Sequence, residues 1–397
     1  MLIILIIAAA VFLFYKTLLP ILSFINVHVV YPIRKRRLFK GEPDFKVNIL
    51  VPCQEWTEFL EDNLRAIVKQ DYGNFKVTFV TDKDDDPAVR AIKPIVQEFA
   101  HAEHFVAGYS DYNCSQQNFV QMTAIKADDQ SEIFVKLDSD TRPEPGWLRE
   151  FVRPYISPKV GLTSSHRLVS PKERGLAPYF YAIYEGFLTM LMGCPFMQWV
   201  WGGCFSIRRK TYDSIGIAEV WSKTGTDDTT LRHQAVSHNA KIVFVPDCVA
   251  VSHEAHTSTR GLANWISRQA FHGKLYVKPY WLMALVVEIM LVSSLILALV
   301  VLIAELLAPG FGIQGILAST ILAAGLISGP LVTLIYPDKK DIPFIFWLLL
   351  SAPAHFVVLA GLLKSAFMKN LSWRNIVYEH NKDGTVKQIR RIDASNR

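Results

Sequence analysis

Four long apolar stretches bracket one region of ordinary globular texture, and that division limits the chain to an architecture built at a membrane. Met1 to Val30 is nearly all apolar, and Trp281 to Ala308, Gly315 to Tyr336 and Pro343 to Met368 follow later. Each is long enough to cross a hydrocarbon core of about 30 Å. With 51% of its 397 residues hydrophobic, the chain is too apolar for a typical soluble protein. The spacing predicts a membrane segment over 1–33, a globular domain over 45–255, an interfacial amphipathic helix over 256–280, a membrane region over 281–368 and a polar, basic tail over 369–397. The net charge of +6 sits mostly in short clusters beside apolar segments. That placement suits a membrane surface and argues against nucleic acid as a partner. Arg34-Lys35-Arg36-Arg37 directly after the first stretch marks that edge, and the domain beyond it, as cytoplasmic. Lys16 and Pro20 interrupt the same stretch. One span before the domain and three after it would put the tail on the opposite side. The tail's basic excess argues for the domain's side, and a re-entrant stretch would reconcile the two.

Inside the domain, continuous apolar runs alternate with helical patterns. Val47–Val51, Lys76–Val80 and Ile133–Leu137 read as strands. Pro87 to Phe99 and Gln116 to Ala127 read as helices, capped by Asp86 and Ser115. Strands that are apolar throughout mean a mostly parallel sheet covered on both faces, so the fold class is α/β. Cys204–Ile207 and Lys241–Val245 read as further strands. Five scattered cysteines with no Cys-x-x-Cys exclude a disulfide framework and fit a reducing compartment. No glycine-rich loop follows the first strand, which disfavours a dinucleotide-binding dehydrogenase or a P-loop nucleotidase.

Val135-Lys136-Leu137-Asp138-Ser139-Asp140-Thr141 carries the strongest chemical signal. Residues i and i+2 of an extended chain point the same way, so Asp138 and Asp140 can reach one object together. Two hard oxygen donors suit Mn²⁺ or Mg²⁺ shared with a substrate's phosphates. Alone, Asp-x-Asp is weak: about one match is expected by chance in a chain of this length. The apolar strand before it and the rigid Thr-Arg-Pro-Glu-Pro-Gly-Trp loop after it raise its weight. Pro143 stands where an EF-hand loop needs glycine, which excludes that motif. Acidic residues also follow the second strand, from Asp82 to Asp86, and stand at Asp227-Asp228 before a helix.

Taken in order, these motifs resemble family 2 glycosyltransferases, most closely the ceramide glucosyltransferase-like branch. The resemblance rests on Asp82-Lys83-Asp84-Asp85-Asp86-Pro87-Ala88, Asp138-Ser139-Asp140, Val160-Gly161-Leu162, Trp201-Gly202-Gly203, Thr226-Asp227-Asp228, Arg268-Gln269 and Ser372-Trp373-Arg374, and covers nearly the whole chain. It implies a GT-A (Rossmann-like) fold and inverting transfer from a UDP-sugar, with glucose expected, to a lipid hydroxyl such as that of ceramide. By the same resemblance Asp82, with Asp84 second, reads the uracil, and Pro52, Cys53 and Glu55 line the nucleoside. Asp140 and Asp138 hold the Mn²⁺ or Mg²⁺, and Asp138 also supports the donor. Gly202 and Gly203 let the backbone approach it. Asp228 is the base, with Asp227 beside it, and Arg268 and Gln269 bind the diphosphate. The chain departs from the family in two places: the late motif lacks its Arg-Trp, and Ser115-Gln116-Gln117-Asn118 lacks the usual lysine. Two rivals are a processive polysaccharide synthase and a transferase-like scaffold without turnover.

Overall fold

The computed structural model describes residues 2–197, 199–256, 258–308, 311–337, 342–373 and 376–391; Arg374 of the late motif lies outside them. The chain forms two compact units. One comprises Met1–Tyr31, Leu168–Met197 and Glu254–Phe367, the other Pro32–Arg167, Gln198–His253 and Met368–Arg397.

The first unit is helical. Helix Leu2–Leu38 runs unbroken for 37 residues, and Lys278–Leu307 and Ile313–Ile335 are also long and apolar enough to span a membrane. Phe12, Leu295, Ala318 and Ile321 meet in a shared core. The last apolar stretch is a bent pair, Phe344–Leu350 and Ala354–Phe367, turned by 55° at its break. Lys16, the one charge in the first stretch, does not reach out of it. It lies buried in a π-helical turn, Phe14–Leu18, with its ammonium 3.8 Å from the Phe187 ring centroid. The cation–π contact takes the place of water for a charge that would otherwise be costly there. Where an interfacial helix was expected over 256–280, a helix spans Thr259–Tyr276 and starts at a Ser258 cap that accepts from the Gly261 N–H.

The second unit holds a seven-stranded sheet of β1 (Val47–Pro52), β2 (Phe75–Thr81), β3 (Ala102–Val106), β4 (Ile133–Leu137), β5 (Val160–Ser164), β6 (Cys204–Arg208) and β7 (Lys241–Phe244). Its order is β3-β2-β1-β4-β6-β5-β7. All neighbours run parallel except β6, which is antiparallel to both β4 and β5. This is the α/β, GT-A arrangement expected from the motifs. Burial explains the strand composition: Ile49, Val51, Val135 and Leu137 have no exposed surface because helices cover both faces. Helix Gln116–Ala127 packs there, its Ser115 cap accepting from the Asn118 N–H. Val120, Ala124, Phe134, Phe205, Trp221 and Leu231 share the core.

Residues read as a plain polar tail form a second, antiparallel sheet of β8 (Asn370–Trp373), β9 (Ile376–His380) and β10 (Val386–Arg391). It belongs to the same unit as the large sheet. Leu371, Ile376, Tyr378 and Val386 are buried. The Val386 N–H donates to the Lys223 carbonyl, Thr385 pairs with Thr224, and the Tyr378 hydroxyl accepts from the Gln116 N–H.

Candidate active site

Strands β1, β2 and β4 are parallel, so their C-terminal ends share one edge of the sheet, the edge where such sheets bind ligands. Asp82 follows β2 and Asp138 follows β4. The reversed β6 brings a third segment to them. Because Leu137 pairs with Cys204, the Asp138 N–H donates to the Gly203 carbonyl at 2.9 Å. The neighbouring Gly202 N–H donates to Asp228 Oδ2, also at 2.9 Å. The Gly-Gly turn therefore holds the central acidic pair on one side and the late acidic pair on the other.

No larger residue fits that turn without movement. A Cβ on Gly202 would lie 3.0 Å from Asp228 Oδ2 and 3.1 Å from Asp227 Oδ1, and one on Gly203 would enter the Trp201 indole. The glycines permit close backbone approach, here to the acids themselves. Asp228 opens helix Asp228–Ser237, with Oδ1 accepting from Thr226 Oγ1, Thr229 Oγ1 and the Thr229 N–H. Asp227 is buried and accepts from the side-chain amides of Gln117 and Gln121 at 3.1 and 2.8 Å. Burial raises its carboxyl above the usual range, Lys136 opposes that rise, and Asp228 adds to it.

Helix Gln116–Ala127 also joins the first acidic site. Gln116 Nε2 donates to Asp82 Oδ1 at 2.9 Å and to the Gly108 carbonyl at 2.8 Å. Asp82 is nearly buried, whereas Asp84 is exposed. Asp86 serves the loop, accepting from the Glu55 and Ala88 N–H groups. Glu55 has a φ of 65°, a left-handed conformation rare for a non-glycine residue, held in part by that Asp86 bond. Cys53 donates its thiol to the Val51 carbonyl and is buried, which raises the thiol's pKa; its N–H pairs with Val80. Pro52, the last residue of β1, is half-buried. Arg268 and Gln269 lie on helix Thr259–Tyr276 in the helical unit.

Two cations complete the acidic edge, and neither is apparent from local sequence. Lys136, on β4, is 2% exposed, and its ammonium donates to both Asp138 Oδ1 and the Gly202 carbonyl. Burial alone would lower its pKa, but Asp138, Asp227 and Asp140 more than offset that, so the ammonium is held charged. Arg167, packed over the Trp201 ring, pairs with Asp140. His166 packs tilted against the same ring, and burial takes its pKa down to about 3, so it is neutral.

A divalent ion fits the chemistry of Asp138 and Asp140, two partly exposed hard-oxygen donors. They are two, and among the described residues no group of three or more acidic, histidine or cysteine side chains is close enough to hold an ion alone. The remaining ligands would be diphosphate oxygens and water, as Mg²⁺ usually takes them.

The model for glycosyl transferase family 21 matches residues 15–386. The chain belongs to that family. It is a glycosyltransferase of family 21, a ceramide glucosyltransferase-like family, so the branch its motifs suggested holds while the family is 21 and not 2. No curated protein matches it. Among solved structures it is similar to mannosyltransferase PcManGT from Pyrobaculum calidifontis, in complex with GDP-Man and Mn²⁺. That likeness has 16% identity, a TM-score of 0.43, and covers 91% of this chain and 99% of the other. It is also similar to GalNAc-T7 with UDP, GalNAc and Mn²⁺, at 9% identity and a TM-score of 0.40, over 54% of this chain and 44% of that one.

Proposed function

We propose that this family 21 enzyme transfers a sugar, glucose, from a UDP-sugar to the hydroxyl of a membrane lipid of the ceramide type, with inversion, on the cytoplasmic face. The observation that carries the reading is the Gly202–Gly203 turn, bonded to the acidic pair at Asp138 and to Asp228, with Asp82 tied by Gln116 to the helix that also bonds Asp227. A donor diphosphate at Asp138 and Asp140 and an acceptor hydroxyl at Asp228 would then meet across one turn.

In this reading the acceptor oxygen attacks the anomeric carbon from the face opposite UDP. The bond to the diphosphate breaks, and the leaving oxygen keeps the electron pair. Asp228 takes the hydroxyl proton, as an inverting reaction needs one base. Its bonds from the Gly202 and Thr229 N–H groups hold it in place before the acceptor arrives. Asp140, with Asp138, would hold a Mn²⁺ or Mg²⁺, which neutralises charge on the leaving diphosphate. Asp82 accepts hydrogen bonds where the uracil is read, and Pro52 and the Glu55 backbone border that place. Arg268 and Gln269 remain the diphosphate contacts that the resemblance implies. The long apolar helices support a lipid acceptor.

The test is purified protein with Mn²⁺, a panel of UDP-sugars and membrane lipid extract, with products read by mass spectrometry. A hexosylated lipid is expected. Asp228→Asn should lower turnover by about 10²- to 10⁴-fold while UDP still binds. A polymer product, or wild-type and Asp228→Asn proteins that are equally inactive, would overturn the reading.

A further inference from the structure

Gln116 and Gln117 at the head of their helix bond Asp82 and Asp227 as neutral amides. The buried positive charge enters from another direction. Lys136 belongs to β4, a central strand between β1 and β6, and its ammonium is enclosed. Its two partners lie 2 and 66 residues away in sequence, the Asp138 carboxylate and the Gly202 carbonyl. Gly202 is thus held on both sides, with its carbonyl bonded to Lys136 and its N–H to Asp228 Oδ2.

We infer that Lys136 is the positioning residue of the transferase site: it locks Gly202 and, through the backbone of that residue, fixes the Asp228 carboxylate relative to Asp138. The inference rests on the proposed transfer reaction for its catalytic consequence, but not for the lock itself. A partly buried carbonyl and a carboxylate that lose a shared cation are left without their strongest partner. The turn then moves, and with it the carboxylate that must meet the acceptor. Lys136 touches neither sugar nor acceptor in this account.

Two measurements test it. The first is hydrogen exchange over residues 200–204 in the full-length protein in detergent. Lys136→Met should speed exchange of the turn by about tenfold or more while the β2 and β3 amides keep their rates. Unchanged exchange at the turn would overturn the inference whether or not the protein transfers sugar. The second is a double-mutant cycle on turnover. Lys136→Met alone should cut kcat by about 100-fold with the donor KM within about threefold, the signature of a lost transition-state contact. In an Asp228→Asn background the same change should cost almost nothing. Losses that multiply would mean that Lys136 does not act through Asp228, and would sink the inference. Lys136→Arg, which keeps charge and donors, should recover most of both signals. If Lys136→Met does not accumulate, Lys136→Gln is read in the same way. A wild-type protein that makes no glycolipid would refute the functional reading, and the exchange measurement would still decide the lock.

Discussion

Asp128 is the residue whose chemistry bears most directly on stability. It sits at the end of helix Gln116–Ala127 with its side chain 3% exposed. Burial pushes its carboxyl up, but bonds from Ser131, Asn48 and Gln130 outweigh burial and bring it from an ordinary 3.8 to about 2. A depressed carboxyl stabilises the folded state above its unfolded pKa and loses that contribution as pH falls through its folded one. Between about pH 4 and pH 2 the unit should therefore lose on the order of 2 kcal/mol from this group. Asp128→Asn should lower Tm at pH 7 and flatten the Tm–pH curve in that window; a curve that keeps the wild-type slope there would refute the assignment. The acids at 82, 138, 140, 227 and 228 could be picked out because carboxylates at strand and helix ends have a local context that chemistry can read. Lys136 could not. A lysine in a strand reads as solvent-facing, and the acids that make its burial tolerable come from other parts of the chain. The one hint was its place in an otherwise wholly apolar run.

At the scale of elements, burial pattern decided what could be foreseen. β1, β2, β4, β6 and β7 are mostly apolar runs broken by single polar residues, and the expected bounds agree with the observed ones to within a residue or so. β3 did not announce itself. As an edge strand it exposes Glu103 and Val106, and Glu103 pairs with Lys76. The tail strands hid in the same way, since their buried residues are separated by charges. Yet β9 reaches the site. Burial takes the Tyr378 phenol up to about 12, so it stays protonated, and its oxygen accepts from the N–H of Gln116, which in turn bonds Asp82. Tyr378→Phe should raise the donor KM by up to about tenfold, the worth of one modest hydrogen bond, and leave kcat nearly unchanged. A fall in kcat with KM constant would place the tail's influence elsewhere. The Gly202–Gly203 turn is less forgiving. Gly202→Ala puts a methyl group 3.0 Å from Asp228 Oδ2, so kcat should drop by about 100-fold, as expected for displacement of a reacting group by an ångström or less. Wild-type turnover in Gly202→Ala would show that Asp228 need not sit where it does.

For the whole molecule, the tail sheet bears on a conflict that charge and span counting left open. The chain leaves the sheet-containing unit after His253 and rejoins it at Met368. Since the tail sheet bonds to Lys223, Thr224 and Gln116, its strands are expected on the same membrane side as the large sheet. The intervening chain must then cross an even number of times. At about 1.5 Å per residue, Lys278–Leu307 and Ile313–Ile335 are about 45 and 35 Å long, enough to cross. Phe344–Leu350 and Ala354–Phe367 reach about 10 and 21 Å, and their 55° bend prevents them from acting as one straight span. That pair is expected to enter the membrane and return to the side it came from, which would put the basic tail where its charge suggests. Single cysteines with a membrane-impermeant maleimide test this in intact and permeabilised cells; the five native cysteines are buried. Asp85→Cys in the catalytic unit and Lys382→Cys in the β9–β10 turn should label under the same condition. Phe311→Cys, between the two full spans and 51% exposed, should label under the opposite one. Opposite labelling at positions 85 and 382 would mean that the bent pair crosses after all, and that the tail sheet cannot pack on the domain that holds the acids.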